Sequence, residues 1–216
     1  MTLRRGHSAA AVASPPAPFN QVESRLLPEL LRGLEERGDE LCVLDLSAGS
    51  AGTVDFFANL QIHTRLIFLD VLEIVQLVGE LRQTSDEDGG PARGELVKVW
   101  RNAIGLEASH RIDLVLLWDH LHRFDLAAVD ALADALEPFV HEGSKGYGFG
   151  TLHSDTPIAS YDYAIGGVDS VLLKPKPAET LEFAHSQQAI AAHFDCMRIV
   201  RGTLLQEGHL ELLLEA

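Results

Sequence analysis

The sequence has little of what marks disulfide-bonded, thiolate-metal or nucleic-acid-binding proteins. Only two of its 216 residues are cysteines, Cys42 and Cys196, too few for a disulfide framework or a thiolate metal cage. Basic residues do not cluster beyond Arg4 and Arg5, and a formal net charge of −15 repels phosphate backbones. We therefore expect neither a nucleic-acid partner nor a metal ion.

Long apolar runs are also missing. The longest, such as residues 114–118, are about five residues, far short of the roughly 20 that a membrane span needs. The N-terminal segment carries no apolar stretch of a signal peptide, so we expect a cytoplasmic protein with no membrane partner. Its Arg, Ser and Ala content also suits an organellar transit peptide, but Pro15, Pro16 and Pro18 favour a disordered tail over residues 1–18.

Hydrophobic residues make up 46% of the chain, enough for one domain over residues 19–216. Asn20 and Glu23 have the spacing of a capping box before a helix over residues 26–34. Further helices are predicted at 53–60, 71–82, after Asp125, and at 178–193. Strands are predicted at 41–46, 65–69, 95–100, 112–118, 145–152, 196–204 and 209–214; residues 95–104 also suit a helix.

Strands that alternate with helices predict a doubly wound, mostly parallel, Rossmann-like α/β sheet, and the last two strands predict a C-terminal antiparallel hairpin. Ligands bind such sheets outside the carboxyl ends of the strands. The loop after the first strand, residues 45–52, is rich in small residues that allow close approach to a ligand. Asp70 ends the second strand, where its carboxylate can bind a ribose diol or cap the next helix.

Residues 42–51, Cys-Val-Leu-Asp-Leu-Ser-Ala-Gly-Ser-Ala, resemble the first motif, V-L-D-L-G-x-G-x-G, of the class I S-adenosylmethionine-dependent methyltransferases. Asp70 matches the acid after the family's second strand, and residues 101–103 fall where the family has an Asp-Ala pair beside the adenine. Residues 111–122 are similar to its F-D-L-V segment on the fourth strand. In this sequence Ser47 and Ala51 replace two motif glycines, and Asn102 replaces the adenine-side acid.

The resemblance implies a methyltransferase-like domain with S-adenosylmethionine as its cofactor. The positions that would bind this cofactor lie on four loops. They are Asp45, Ser47, Ala48, Gly49, Ser50, Asp70, Val71, Asn102, Ala103 and Trp118.

Asp119, His120 and His122 form a D-H-x-H cluster after the fourth strand. Imidazole and carboxylate groups suit general-base catalysis, and we take Asp119 and His122 as the candidate catalytic residues. Tyr161 and Tyr163, in a predicted loop after the fifth strand, are candidates for a substrate pocket, as are His153 and Asp155.

Three hypotheses follow. The first is a methyltransferase that acts on a small molecule or a protein side chain. The second is a methyltransferase-like binding or regulatory module without activity, which the replacements at Ser47, Ala51 and Asn102 favour. The third is a nucleotide-dependent oxidoreductase, because Ser47-x-Gly49-x-x-Gly52 matches the dinucleotide motif except at its first glycine. No feature of the sequence indicates the oligomeric state.

Overall fold

The structure is a computed structural model that describes residues 19–35, 40–60, 62–84, 90–107, 109–151, 158–205 and 209–216. The predicted disordered tail over residues 1–18 lies outside these residues, as do His153 and Asp155. Among the described residues, no helix combines the length and the apolar character that a membrane crossing requires.

The described chain forms nine strands and six α-helices in two sheets. The strands are β1 (Asn20–Glu23), β2 (Leu41–Asp45), β3 (Thr64–Phe68), β4 (Leu114–Trp118), β5 (Lys145–Gly150), β6 (Ala159–Gly167), β7 (Ser170–Thr180), β8 (Arg198–Leu204) and β9 (Leu210–Glu215). The helices are α1 (Leu27–Glu35), α2 (Ala51–Asn59), α3 (Val71–Thr84), α4 (Arg93–Ile104), α5 (Leu126–Leu136) and α6 (Gln187–His193). A 3-10 helix, His120–Arg123, follows β4.

The main sheet has six strands in the order β3-β2-β4-β5-β9-β8. Strands β2 to β5 run parallel, whereas β9 is antiparallel to both β5 and β8. The predicted doubly wound, mostly parallel sheet with a C-terminal antiparallel hairpin is therefore confirmed.

A smaller antiparallel sheet, in the order β1-β7-β6, packs beside the main one. This sheet contacts the start of α2. A Cβ on Gly52 would lie 3.2 Å from Ala164 Cβ, so the helix and β6 approach closely at this glycine. Thr53 Oγ1 also accepts a hydrogen bond from Ile165 N at 3.2 Å. The small sheet is thereby fixed to the first turn of the helix that follows β2.

The two faces of the main sheet bury separate apolar clusters. Leu114, Leu116 and Trp118 of β4 pack with α1 and the small sheet, whereas Val115 and Leu117 pack with α3 to α6. Successive side chains of a strand point to opposite faces, so a central strand covered on both faces needs an uninterrupted apolar run. This burial explains why β2 and β4 were predictable.

Three predictions of local structure are wrong. Residues 20–23 form β1 rather than a helix cap, and Ser24 Oγ caps α1 by accepting from Leu27 N at 2.9 Å. Residues 159–180 form the hairpin β6–β7 rather than a loop followed by the start of a helix, and α6 begins only at Gln187.

The third of these concerns residues 95–100, for which a strand was predicted with a helix to Ile104 as the alternative; the helix is confirmed, because these residues belong to α4. Leu96, Trp100 and Ile104 are buried at helical spacing. Trp100 Nε1 donates to Ala128 O at 3.0 Å, which ties α4 to α5. The main sheet consequently ends at β3 among the described residues.

Candidate functional site

A cavity of about 360 Å³ opens at the carboxyl ends of β2 and β3, between the main sheet and the small sheet. The size is within the range of ligand pockets. One wall comes from the loop after β2 and the start of α3, and the other from the 3-10 helix and the small sheet. The lining residues are Phe19, Ser47, Ala48, Gly49, Ser50, Ala51, Asp70, Val71, Leu72, His120, Arg123, Tyr161, Asp162, Tyr163 and Lys176.

The loop after β2 turns at Gly49, whose φ is +87°. A Cβ there would lie 3.2 Å from the Phe68 ring, so both conformation and space favour glycine. Ser47, which replaces a motif glycine, does not adopt a positive φ, so the serine causes no backbone strain here. Its Oγ instead accepts a hydrogen bond from Gly49 N at 3.1 Å. The serine therefore supports the turn.

Ser50 begins α2 and orients its first turn towards the cavity. Its Oγ accepts from Thr53 N at 3.1 Å, as an N-cap residue does. The first N–H groups of a helix lack intrahelical acceptors and carry a partial positive charge. Ser50 and Ala51 line the cavity, so this helix end can receive an anionic group of a ligand.

Asp70 caps α3 and also lines the cavity. Its Oδ1 accepts the capping hydrogen bond from Leu72 N at 2.9 Å. A carboxylate has acceptor sites on both oxygens, so the cap leaves capacity for a ligand hydroxyl. Val71, beside it, lines the cavity through its backbone or side chain as well.

Asp45 and Trp118 lie beneath the cavity rather than on its wall. Asp45 is fully buried, and Trp118 Nε1 donates to its Oδ1 at 2.6 Å. Burial raises the pKa of Asp45 to about 6, although the bonds from Trp118 and Ser47 oppose this shift. Trp118 has a φ of 51° and stacks on Tyr163 with ring centroids 5.2 Å apart. Through these contacts, Asp45 and Trp118 connect β2, β4 and the small sheet.

Asn102 and Ala103 are not among the described residues that line the cavity. They lie near the end of α4, with Asn102 exposed to solvent. Their predicted place beside an adenine assumed that a third strand ended just before them, and that strand is a helix. The structure therefore does not bring these two residues to the other predicted cofactor positions.

Asp119 and His122, the candidate catalytic residues, are buried and are likewise outside the described cavity lining. Tyr163 Oη donates to Asp119 Oδ2 at 2.9 Å, and burial raises the pKa of Asp119 to about 7. His122 Nδ1 accepts from His185 N at 3.1 Å, and burial lowers the pKa of His122 to about 4. The structure does bring His120, the middle member of this cluster, to the cavity.

Tyr161 and Tyr163 line the cavity, but from β6 rather than from a loop. Five further lining residues were not predicted from the sequence: Phe19, Leu72, Arg123, Asp162 and Lys176. An available signal was the Gly166-Gly167 pair between two runs of strand-forming residues, which is typical of a hairpin. No group of three or more His, Cys, Asp or Glu residues in the described part of the chain is arranged to hold a metal ion.

Comparisons with known proteins found similarity in solved structures alone. Neither a family model nor a curated protein matches the chain. A S-adenosylmethionine-dependent methyltransferase from Clostridium acetobutylicum is 12% identical, with a TM-score of 0.46 over 90% of this chain and 92% of that one.

Two further structures are similar to a comparable degree. The 1,6-didemethyltoxoflavin-N1-methyltransferase of Burkholderia thailandensis, which holds its substrate and S-adenosylhomocysteine, is 14% identical, with a TM-score of 0.45 over 88% of this chain and 76% of that one. The N-methyltransferase NodS of Bradyrhizobium japonicum is 14% identical, with a TM-score of 0.44 over 88% and 93%. The function proposed below is inferred from the cavity and the sequence motifs, not from these similarities.

Proposed function

We propose that this protein binds S-adenosylmethionine in the cavity and transfers the methyl group to a small-molecule acceptor. One observation carries the proposal: residues 47–51 and Asp70, which resemble the family's cofactor positions, line one open cavity of about 360 Å³. A crevice at the carboxyl ends of parallel strands is where doubly wound sheets bind ligands. A protein side chain is the alternative methyl acceptor within the same proposal.

The residues present fit this cofactor. Gly49 keeps the loop free of a Cβ at the point where the backbone bends towards the cavity, and α2 begins directly behind it. The N-terminus of α2 suits the carboxylate of the methionine part, and Asp70 suits the ribose hydroxyls.

When bound, S-adenosylmethionine supplies a methyl carbon to which the acceptor's lone pair forms a bond, while the carbon–sulfur bond breaks and its electron pair stays on sulfur. The protein contributes alignment of the acceptor with that methyl group, which can account for much of the rate. His120 is held neutral because burial, together with Arg123 and Lys176, lowers its pKa to about 3. A proton released by the acceptor passes to water in this proposal, because Asp119 and His122, the bases predicted from the sequence, are buried and outside the described cavity lining.

A binding module without turnover is the second candidate, and two observations favour it. Ser47 Oγ already accepts the Gly49 N–H bond within the loop. Helix α4 also takes the place of the strand that was expected to deliver Asn102 to an adenine. Such a module would have lost the cofactor and would act as a binding or regulatory protein without methyl transfer.

Calorimetric titration with S-adenosylmethionine, S-adenosylhomocysteine and NAD tests the proposal. We expect micromolar binding of the first two, which Asp70→Ala weakens roughly 10- to 100-fold, because hydrogen bonds to a charged group contribute about 1.5–3 kcal/mol. Asp125→Ala is the matched control, since Asp125 caps α5 by accepting from Ala128 N but is outside the described cavity lining. Equal losses in both variants would contradict the proposed role of Asp70.

Absence of binding to all three ligands would refute the cofactor proposal and favour the binding or regulatory module, and binding of NAD alone would favour the oxidoreductase hypothesis. If S-adenosylmethionine and S-adenosylhomocysteine bind, transfer of a radiolabelled methyl group to a panel of small acceptors tests turnover. Labelled product supports the methyltransferase. Persistent binding with no product across the panel would contradict methyl transfer to a small molecule.

A further inference from the structure

The cavity wall opposite the loop after β2 is rich in hydrogen-bond donors. His120 and Arg123 come from the 3-10 helix, and Tyr161 and Lys176 come from the small sheet. Only His120 lies within a segment that resembles the methyltransferase family, residues 111–122; Arg123, Tyr161 and Lys176 lie outside all of these segments. Their convergence on one cavity calls for a ligand group that accepts several hydrogen bonds.

The protonation of His120 follows from its neighbour. Arg123 Nε donates to His120 Nδ1 at 3.1 Å. Asp119 Oδ1 lies 3.3 Å from the same nitrogen, but the arginine nitrogen can only donate, so Nδ1 serves as an acceptor. In the neutral ring the proton is then on Nε2. His120 is therefore a donor to a ligand rather than a base.

Arg123 is held in place as a buried cation. It is 8% exposed, and its Nη2 donates to Ser160 Oγ on β6. Arg123 and Lys176 both lower the pKa of His120 through their charge, so the two cations act on the same ring. Two like charges near one point favour an anion between or beside them.

Lys176 already has a carboxylate partner. Its Nζ lies 2.9 Å from Asp162 Oδ1, and the Asp162 side chain is 46% exposed while that of Lys176 is 25% exposed. A solvated carboxylate can turn to water at little cost, because exposed ion pairs contribute about 0–1 kcal/mol. A ligand carboxylate could take its place beside Lys176 without leaving a buried charge unpaired.

We propose that this wall, formed by His120, Arg123, Tyr161 and Lys176, is an acceptor subsite for a small molecule that carries a carboxylate. The proposal rests on the proposed function, because it assigns the other wall to the cofactor. The ring of Tyr161, which lines the cavity, favours an acceptor with a flat apolar body behind its carboxylate.

The test is calorimetric titration of the full chain with benzoate, benzamide and benzylamine, with and without saturating S-adenosylhomocysteine. We expect benzoate to bind at least tenfold more tightly than its uncharged and cationic analogues, and to bind with S-adenosylhomocysteine present. Lys176→Met should weaken benzoate binding at least tenfold, and Lys176→Arg should restore most of it. Lys174→Met is the matched control on the same strand, outside the described cavity lining, and should leave benzoate binding unchanged.

Equal affinity for benzoate and benzamide, or equal effects of Lys174→Met and Lys176→Met, would overturn the proposal. Competition between benzoate and S-adenosylhomocysteine would also overturn it, since the wall would then hold the cofactor's carboxylate. Benzoate binding without S-adenosylhomocysteine binding would refute the proposed cofactor and leave the carboxylate subsite standing. Binding of S-adenosylhomocysteine without carboxylate preference would refute the subsite alone.

Discussion

Replacing Gly49 by alanine should destabilise the protein and impair the cavity together. Gly49 has a φ of +87°, and the new Cβ would lie 3.2 Å and 3.3 Å from two atoms of the Phe68 ring. The left-handed conformation costs a non-glycine residue about 1–2 kcal/mol. Phe68 is 36% exposed, so its ring can move away and add little to that cost.

We therefore expect Gly49→Ala to lower the free energy of unfolding by about 1–2 kcal/mol and the melting temperature by roughly 2–8 °C. Relief of the strain moves the loop, so affinity for S-adenosylhomocysteine should fall roughly tenfold or more. Urea denaturation, thermal melting and calorimetric titration measure the three quantities.

Gly79→Ala provides a control in which the change in stability should have the opposite sign. Gly79 is within α3, and a Cβ there would meet no other heavy atom within 4 Å. Alanine is the better helix former by about 1 kcal/mol, so this variant should be more stable than the original protein. If Gly49→Ala left stability unchanged, or if both variants shifted it in the same direction, the role assigned to the positive φ would be wrong.

Two further predictions concern parts of the fold away from the loop. Ser24→Ala removes the cap of α1 and should lower the free energy of unfolding, measured by urea denaturation, by about 1 kcal/mol. Asn20→Ala in exposed β1 should change it by less than about 0.5 kcal/mol. A larger loss for Asn20→Ala than for Ser24→Ala would favour the capping box predicted from the sequence. The raised pKa of Asp119, about 7 in the folded state against 3.8 ordinarily, means that the folded state binds more protons between these values, so this group's contribution to stability declines as pH rises from about 4 to 7. Asp119→Asn should gain stability relative to the original protein over that window, by on the order of a few kcal/mol. A stability difference between the two proteins that does not vary with pH would contradict the assignment.

The sequence was informative where burial dictates an unmistakable pattern. Strands β2 and β4 are covered on both faces, so every residue had to be apolar except the terminal Asp45. The cofactor-side wall was predictable because parallel strands bring their carboxyl ends to one edge, which places residues 47–51 beside Asp70. Asp125 was identified as a cap because its side chain and position match what an N-cap requires.

The errors have physical causes. In α4, Val97 and Val99 suggest strand alternation, but burial of Leu96, Trp100 and Ile104 against the neighbouring helices decides the conformation. Tertiary packing thus overrides local propensity. Arg123 and Lys176 are 53 residues apart in the chain (176 − 123) and meet only through the β6–β7 hairpin, so no local pattern could place them in one site.

The contact between Gly52 and Ala164 also constrains how a ligand reaches the cavity. Because β6 is joined to the first turn of α2 there and at Thr53, the two walls cannot swing apart at that edge without breaking the Ile165–Thr53 bond. Phe19 and Leu72, which also line the cavity, are by contrast 44% and 49% exposed. A ligand that enters beside them would meet apolar side chains that solvent already reaches, whereas the edge between α2 and β6 stays fixed.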